Sequence, residues 1–117
     1  MAYPGDSIDY GDPVVATKYQ LATIASGVAT FTRLSPVLVL AAESSTTDTL
    51  DTLTVADIQR GDTCILVADT GDTITVDDAN IDLAAATRAI APGGSLGLRY
   101  DGTSWVELFF TAAADNA

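Results

Sequence analysis

"GGSLGLRYDGTSWVEL", residues 93–108, is the stretch on which the reading of the fold turns. Leu96, Leu98 and Tyr100 alternate with Gly97 and Arg99, so two sets of side chains leave opposite faces of an extended backbone. Asp101-Gly102 follows. That dipeptide reverses a chain well, because glycine accepts a positive φ at little cost. Trp105, Val106, Glu107 and Leu108 then resume the extended pattern. The stretch predicts a β-hairpin with a large aromatic just past its turn. Such a ring covers the end of a core while its N–H reaches a polar partner, and its loss typically costs about 3–5 kcal/mol. Tyr100, Asp101, Gly102 and Trp105 are therefore read as a structural hairpin.

The same grammar extends upstream. "TLTVADI" is followed by "QRGD", "TCILVA" by "DTGD" and "TITV" by "DDAN", and "IDLA" runs into "AATRAIAPGG". Short strands punctuated every eight to twelve residues or so predict an all-β domain, as a small sandwich, barrel or β-roll of short antiparallel strands. Residues 14–26, "VVATKYQLATIAS", alternate at a two-residue period, and "VATFTRL" does so again. "VLVLAA", residues 37–42, reads as a buried strand, and residues 43–51, "ESSTTDTLD", as a polar loop. Alanine-rich residues 83–91 suit one helical turn. Residues 1–13 carry two prolines among Gly and Asp, which argues for an extended arm ahead of a single β domain over 14–117. "RGDT" and "TGDT" echo each other without forming a strict repeat.

Composition narrows the function. Sixteen acids face five bases, a formal net charge of −11. Phosphate backbones and anionic membrane surfaces repel such a chain, so neither nucleic acid nor membrane is an expected partner. The longest apolar run is far too short to span a bilayer, and the first residues have neither the apolar core nor the basic flank of a secretion signal. Cys64 stands alone among apolar neighbours and reads as a small core residue, with no internal disulfide available to it. Histidine is absent, so neither a Ser-His-Asp nor a Cys-His apparatus can be built.

The segment "TCILVADTGDTITV…IDLA…APGGSLGLRYDGTSWVEL", roughly residues 63–108, resembles a module of tailed-bacteriophage structural proteins. There a buried strand, a Gly-Asp turn and a "TITV"-like strand lead to a closing "GGSLxLxYDGTxWxE"-like hairpin. The Leu-x-Leu-x-Tyr-Asp-Gly-Thr-x-Trp spacing is matched in full. Head-decoration proteins, head fibres and tail fibres carry the module, and such proteins are commonly trimers. The resemblance implies a virion structural protein, made in the host cytoplasm and placed on the outer surface of the capsid. With only 117 residues and no long shaft, a capsid decoration (cement) protein is favoured over a fibre. Its expected partners are the major capsid protein and itself, as a homotrimer. Tyr3, Pro4, Ile8, Tyr10 and Pro13 in the arm are the candidate capsid or subunit contacts, by strand addition. A receptor- or glycan-binding tip module is the alternative, with exposed Trp and Tyr stacking on sugar.

Three motifs invite chemistry. Asp69-Thr70-Gly71 after "ILVA" resembles the triplet of retropepsin-type aspartic proteases, where two chains each supply one Asp of a proton-sharing pair. That family wants a small residue next, and this chain has Asp72. A hairpin turn explains the four residues without catalysis. Arg60-Gly61-Asp62 spells an adhesion tripeptide and is equally a turn. Asp78, Asn80 and Asp82, beside Asp77, begin like a calcium loop, but Leu83 takes the glycine position and no Glu closes it. The expectation is a protein that binds rather than catalyses, with no cofactor and no metal.

Overall fold

The structure, a computed structural model, describes residues 19–112. Among the described residues there are eleven strands and no helix, so the all-β expectation holds. The strands are β1 (Gln20–Thr23), β2 (Val28–Phe31), β3 (Val37–Ala41), β4 (Thr47–Leu50), β5 (Thr52–Val55), β6 (Thr63–Ala68), β7 (Thr73–Asp77), β8 (Ile81–Asp82), β9 (Thr87–Ile90), β10 (Ser95–Tyr100) and β11 (Trp105–Thr111). They form three sheets, ordered β1-β3-β6-β10-β11-β8, β2-β5 and β4-β7-β9.

The architecture is a short solenoid rather than a sandwich or barrel. The chain winds through the sheets in turn, so each strand pairs in parallel with the equivalent strand of the next coil. The pairs β1–β3, β3–β6, β2–β5 and β4–β7 are all parallel, as is β8–β11. The expected antiparallel pairing is confined to the closing part, in β6–β10, β10–β11 and β7–β9. Winding explains this difference. A hairpin returns at once beside its own strand, whereas most turns here carry the chain to another sheet, and pairing waits for the next coil.

Two local expectations are corrected. Residues 43–51 are not all loop, because β4 lies within them and buries Leu50 in the core. Residues 83–91 form no helical turn, because β9 pairs there with β7. In both places a partner strand elsewhere in the chain overrides weak local preference. Of the strand expected over 14–26, β1 occupies Gln20–Thr23, and residues before 19 lie outside the described part.

Equivalent inward positions stack from coil to coil. Leu38, Leu66 and Leu96 lie side by side in register, as do Cys64 and Leu98. Ile74 adjoins Ile90, and Leu50 adjoins Val76. These side chains are completely buried and join Ile24, Leu53, Phe31, Ile81 and Trp105 in one cluster. Burying each aliphatic side chain is worth about 1.5–3 kcal/mol, so the column of leucines sets the register against a one-residue slip that would turn them outward. Burial also pushes the Cys64 thiol well above its ordinary pKa, which leaves it an unreactive filler.

Candidate functional site: the closing hairpin and the outer sheet face

The hairpin of β10 and β11 closes the solenoid. Its turn is held by Asp101, whose Oδ1 accepts from the N–H groups of Thr103 (2.9 Å) and Ser104 (2.7 Å). These bonds favour the ionised form and hold the Asp101 carboxyl below its usual pKa. Gly102 sits at φ +102°, a backbone setting that side-chain-bearing residues rarely take. Trp105 is fully buried. Its ring meets Phe31 edge-on at 5.5 Å and Tyr100 at 5.1 Å between centroids. Its Nε1–H donates to the Leu53 carbonyl at 3.3 Å. The ring is therefore closed to a sugar or any other external ligand.

Asn80 performs a task that the sequence does not advertise. Its side-chain amide donates to the Leu53 carbonyl (2.7 Å) and accepts from the Leu53 N–H (2.9 Å), as a neighbouring strand would. Its own carbonyl accepts from the Trp105 N–H at 2.9 Å. The residue extends the β2-β5 sheet where β8 is too short to reach, and ties it to the hairpin. An amide committed in this way is not a calcium ligand.

The other motifs also resolve into turns. Asp69 Oδ1 accepts from the Thr70 N–H, and Asp72 Oδ2 from the Ala42 N–H at 2.9 Å. The two carboxylates thus hold backbone of this chain. In the Arg60-Gly61-Asp62 turn, Asp62 Oδ2 accepts from the Gln59 N–H and pairs with Arg33 at 3.1 Å. Asp77 faces Asp51; a hydrogen bond between the two side chains is the main cause holding the Asp77 carboxyl above its usual pKa, with partial desolvation and charge repulsion adding to it. No group of three or more Cys, Asp or Glu side chains converges as a metal cage among the described residues. A shallow hollow of about 180 Å³ lies between Phe31, Ile58 and the Arg33–Asp62 pair. That is smaller than the few hundred Å³ typical of a small-molecule site. Tyr3, Pro4, Ile8, Tyr10 and Pro13 lie outside the described residues.

The larger feature is the outward face of the six-stranded sheet. Alternation sends Leu38, Leu40, Cys64, Leu66, Leu96 and Leu98 inward, so their neighbours must point out. Register then lines up Leu21, Val39 and Val67 in one row, and Val37, Ile65, Gly97 and Phe109 in another. Leu21 is 60% exposed and Phe109 42%. The Phe109 ring lies over Gly97, where a Cβ would run into it. A register shift beside Gly97 places Leu108, 51% exposed, outside the ladder. Arg99 is the one charged residue at the outward positions of β1, β3, β6 and β10, and no acid occurs there. Single-residue motifs miss this face. Its signal is the nearly continuous apolar character of "VLVLAA" and "CILVA", which marks strands apolar on both sides.

No protein family, no curated protein and no solved structure matches this chain.

Proposed function

We propose that this chain is a structural protein of a tailed-phage particle, a decoration or cement protein that works by contact. The division of its surface carries the reading. Most of the described acids lie in turns and at strand ends, and from β1 to β11 one broad sheet face is left largely apolar and free of them, with Asp82 of β8 at its edge. A surface so divided suits a protein held in an assembly. The hairpin spacing ending at Trp105 supports placing that assembly in a phage virion. A cement protein binds the assembled lattice more tightly than free subunits, and so stabilises the shell by mass action. The arm, residues 1–13 with Tyr3 and Tyr10, is the proposed attachment to the major capsid protein. The tip-module alternative loses its best sugar platform, because Trp105 is inside the core.

The test is co-sedimentation with particles of the encoding phage from which the gene has been deleted. The full chain should pellet with them in many copies, and a chain lacking residues 1–13 should stay in the supernatant. Failure of the full chain to bind would refute the function, and undiminished binding by the truncation would refute the role of the arm.

A further inference from the structure

We infer that the outward face of the six-stranded sheet, with the rows Leu21–Val39–Val67 and Val37–Ile65–Gly97–Phe109, is a contact surface between two copies of this chain. The inference rests on the reading that the protein works by contact, but not on its belonging to a virion.

Parallel strands are ordinarily covered on both faces, because each side carries apolar residues. Here the inner face packs the core, while the outer face of β1, β3 and β6 bears Leu21, Val37, Val39, Ile65 and Val67. Charge then selects the occupant. A basic partner would be met by rows of acids, and across β1, β3, β6, β10 and β11 this face offers none; Asp82, on the edge strand β8, is the one carboxylate that borders it. For a chain of net charge −11, the part of this face from β1 to β11 is where a second copy can approach without setting carboxylate against carboxylate, with Asp82 left at its edge. Its shape suits that pairing. Sheets pack face to face about 10 Å apart, aligned within about 30°, with apolar side chains interdigitated. Five strands spaced about 4.8 Å apart and about five residues long present roughly 400 Å² in projection. Two such faces, with side-chain relief, bury on the order of 1,000 Å², the lower limit for a specific interface. The contact is therefore real but concentration-dependent, and the rest of the surface stays acidic and wet.

The experiment is sedimentation equilibrium of the full chain at concentrations up to about 0.5 mM, a range in which micromolar-to-millimolar affinities are visible. The wild type should approach twice the 12.0 kDa chain mass. Ile65→Lys and Val39→Lys should weaken association at least tenfold. Leu21→Lys, at a site already exposed, should do so without touching the core, and circular dichroism verifies that each variant is folded. Leu34→Lys alters an equally exposed leucine away from the sheet and should leave the mass unchanged. Raising salt from 0.1 M to 1 M shortens the screening length from about 10 Å to about 3 Å and should tighten the assembly, because repulsion between acidic copies is what it screens. A wild type that remains at 12.0 kDa overturns the inference and leaves the face to a different partner. So does a multimer that the face variants leave intact, or one that dissociates as salt rises.

Discussion

Replacing Asn80 tests whether a side chain stands in for a strand. In Asn80→Ala the Leu53 carbonyl keeps a partner in the Trp105 ring N–H at 3.3 Å, but the Leu53 N–H loses its only described acceptor. Leu53 is fully buried, so that donor stays largely dry. Leaving a buried donor unsatisfied costs about 1–3 kcal/mol. Asn80→Asp separates the two halves of the amide. The carboxylate still accepts from Leu53 N–H, but the 2.7 Å bond to the Leu53 carbonyl becomes a contact between two oxygens. The lost bond and the repulsion together predict about 2–3 kcal/mol at pH 7, a sizeable part of the 5–15 kcal/mol of a typical domain. Protonation restores the donor. The folded state therefore holds the new carboxyl's proton more tightly than the unfolded chain does, which raises its folded pKa above the unfolded value of about 3.9. Stability lost at neutral pH must then return as pH falls through the raised pKa. The assay is urea unfolding of wild type, Asn80→Ala and Asn80→Asp at pH 7 and near pH 4, each variant being compared with wild type at the same pH. Asn80→Asp should recover at the lower pH and Asn80→Ala should not. If Asn80→Ala unfolds within about 0.5 kcal/mol of wild type with an unchanged m-value, the amide does not close this ladder.

Gly102→Val should destabilise by more than about 1 kcal/mol, since a β-branched residue fits poorly at φ +102°; an unchanged urea midpoint would contradict this. Gly97→Ala should cost about 1–3 kcal/mol by driving a methyl into the Phe109 ring, and less in a Phe109→Ala background, so a double-mutant cycle should show coupling above about 0.5 kcal/mol. Asp77→Asn should raise the melting temperature at pH 7, because it ends the opposition with Asp51. The Asp77 carboxyl has a raised folded pKa, so its ionisation opposes folding above that pKa; the gain should therefore shrink as pH falls and the wild-type carboxyl protonates.

Strand residues were legible in this sequence wherever alternation coincided with burial. "TCILVA" and "SLGLRY" coincide with β6 and β10 residue for residue, because their inward leucines and Cys64 lie in the core column. The solenoid was not legible, because coil lengths differ. Gln20 pairs with Leu38, Leu38 with Leu66, Val28 with Thr52 and Thr47 with Thr73, so no single period repeats. β4 was hidden for a related reason. "TDTL" has one apolar residue, Leu50, and becomes a strand only because β7 lies beside it. The Asp-Gly turn and the buried Trp105 could be read from local chemistry. The outer face could not, since an apolar run does not say which of its sides is covered.

The ends of the stack decide how such a fold can grow. A solenoid exposes an apolar layer wherever it stops, and terminal units must hide it with polar groups. Gln20 stands beside Leu38 at the inward position where the leucine column would continue. Its amide instead donates to the carbonyls of Thr32 and Ser35, both at 2.8 Å, and accepts from the Thr32 hydroxyl. Asp48 stands likewise beside Ile74, taking the N–H groups of Glu43 and Thr49 at 2.8 Å each. On the other side, Arg88 follows Leu50 and Val76 and meets Glu107 with two bonds, of 3.0 and 2.8 Å, while its guanidinium lies 4.8 Å from the Phe110 ring centre. That pairing is the main cause holding the Glu107 carboxyl below its usual pKa. Stacking another copy end to end would press an apolar layer onto Gln20 and Asp48, and stripping water from a carboxylate without a new partner costs several kcal/mol. Among the described residues, Gln20, Asp48 and Arg88 therefore oppose growth along the axis. The wall carries no such block, so association through Val39, Ile65 and Phe109 gives a closed pair rather than a fibre, as one flat patch used by both partners requires.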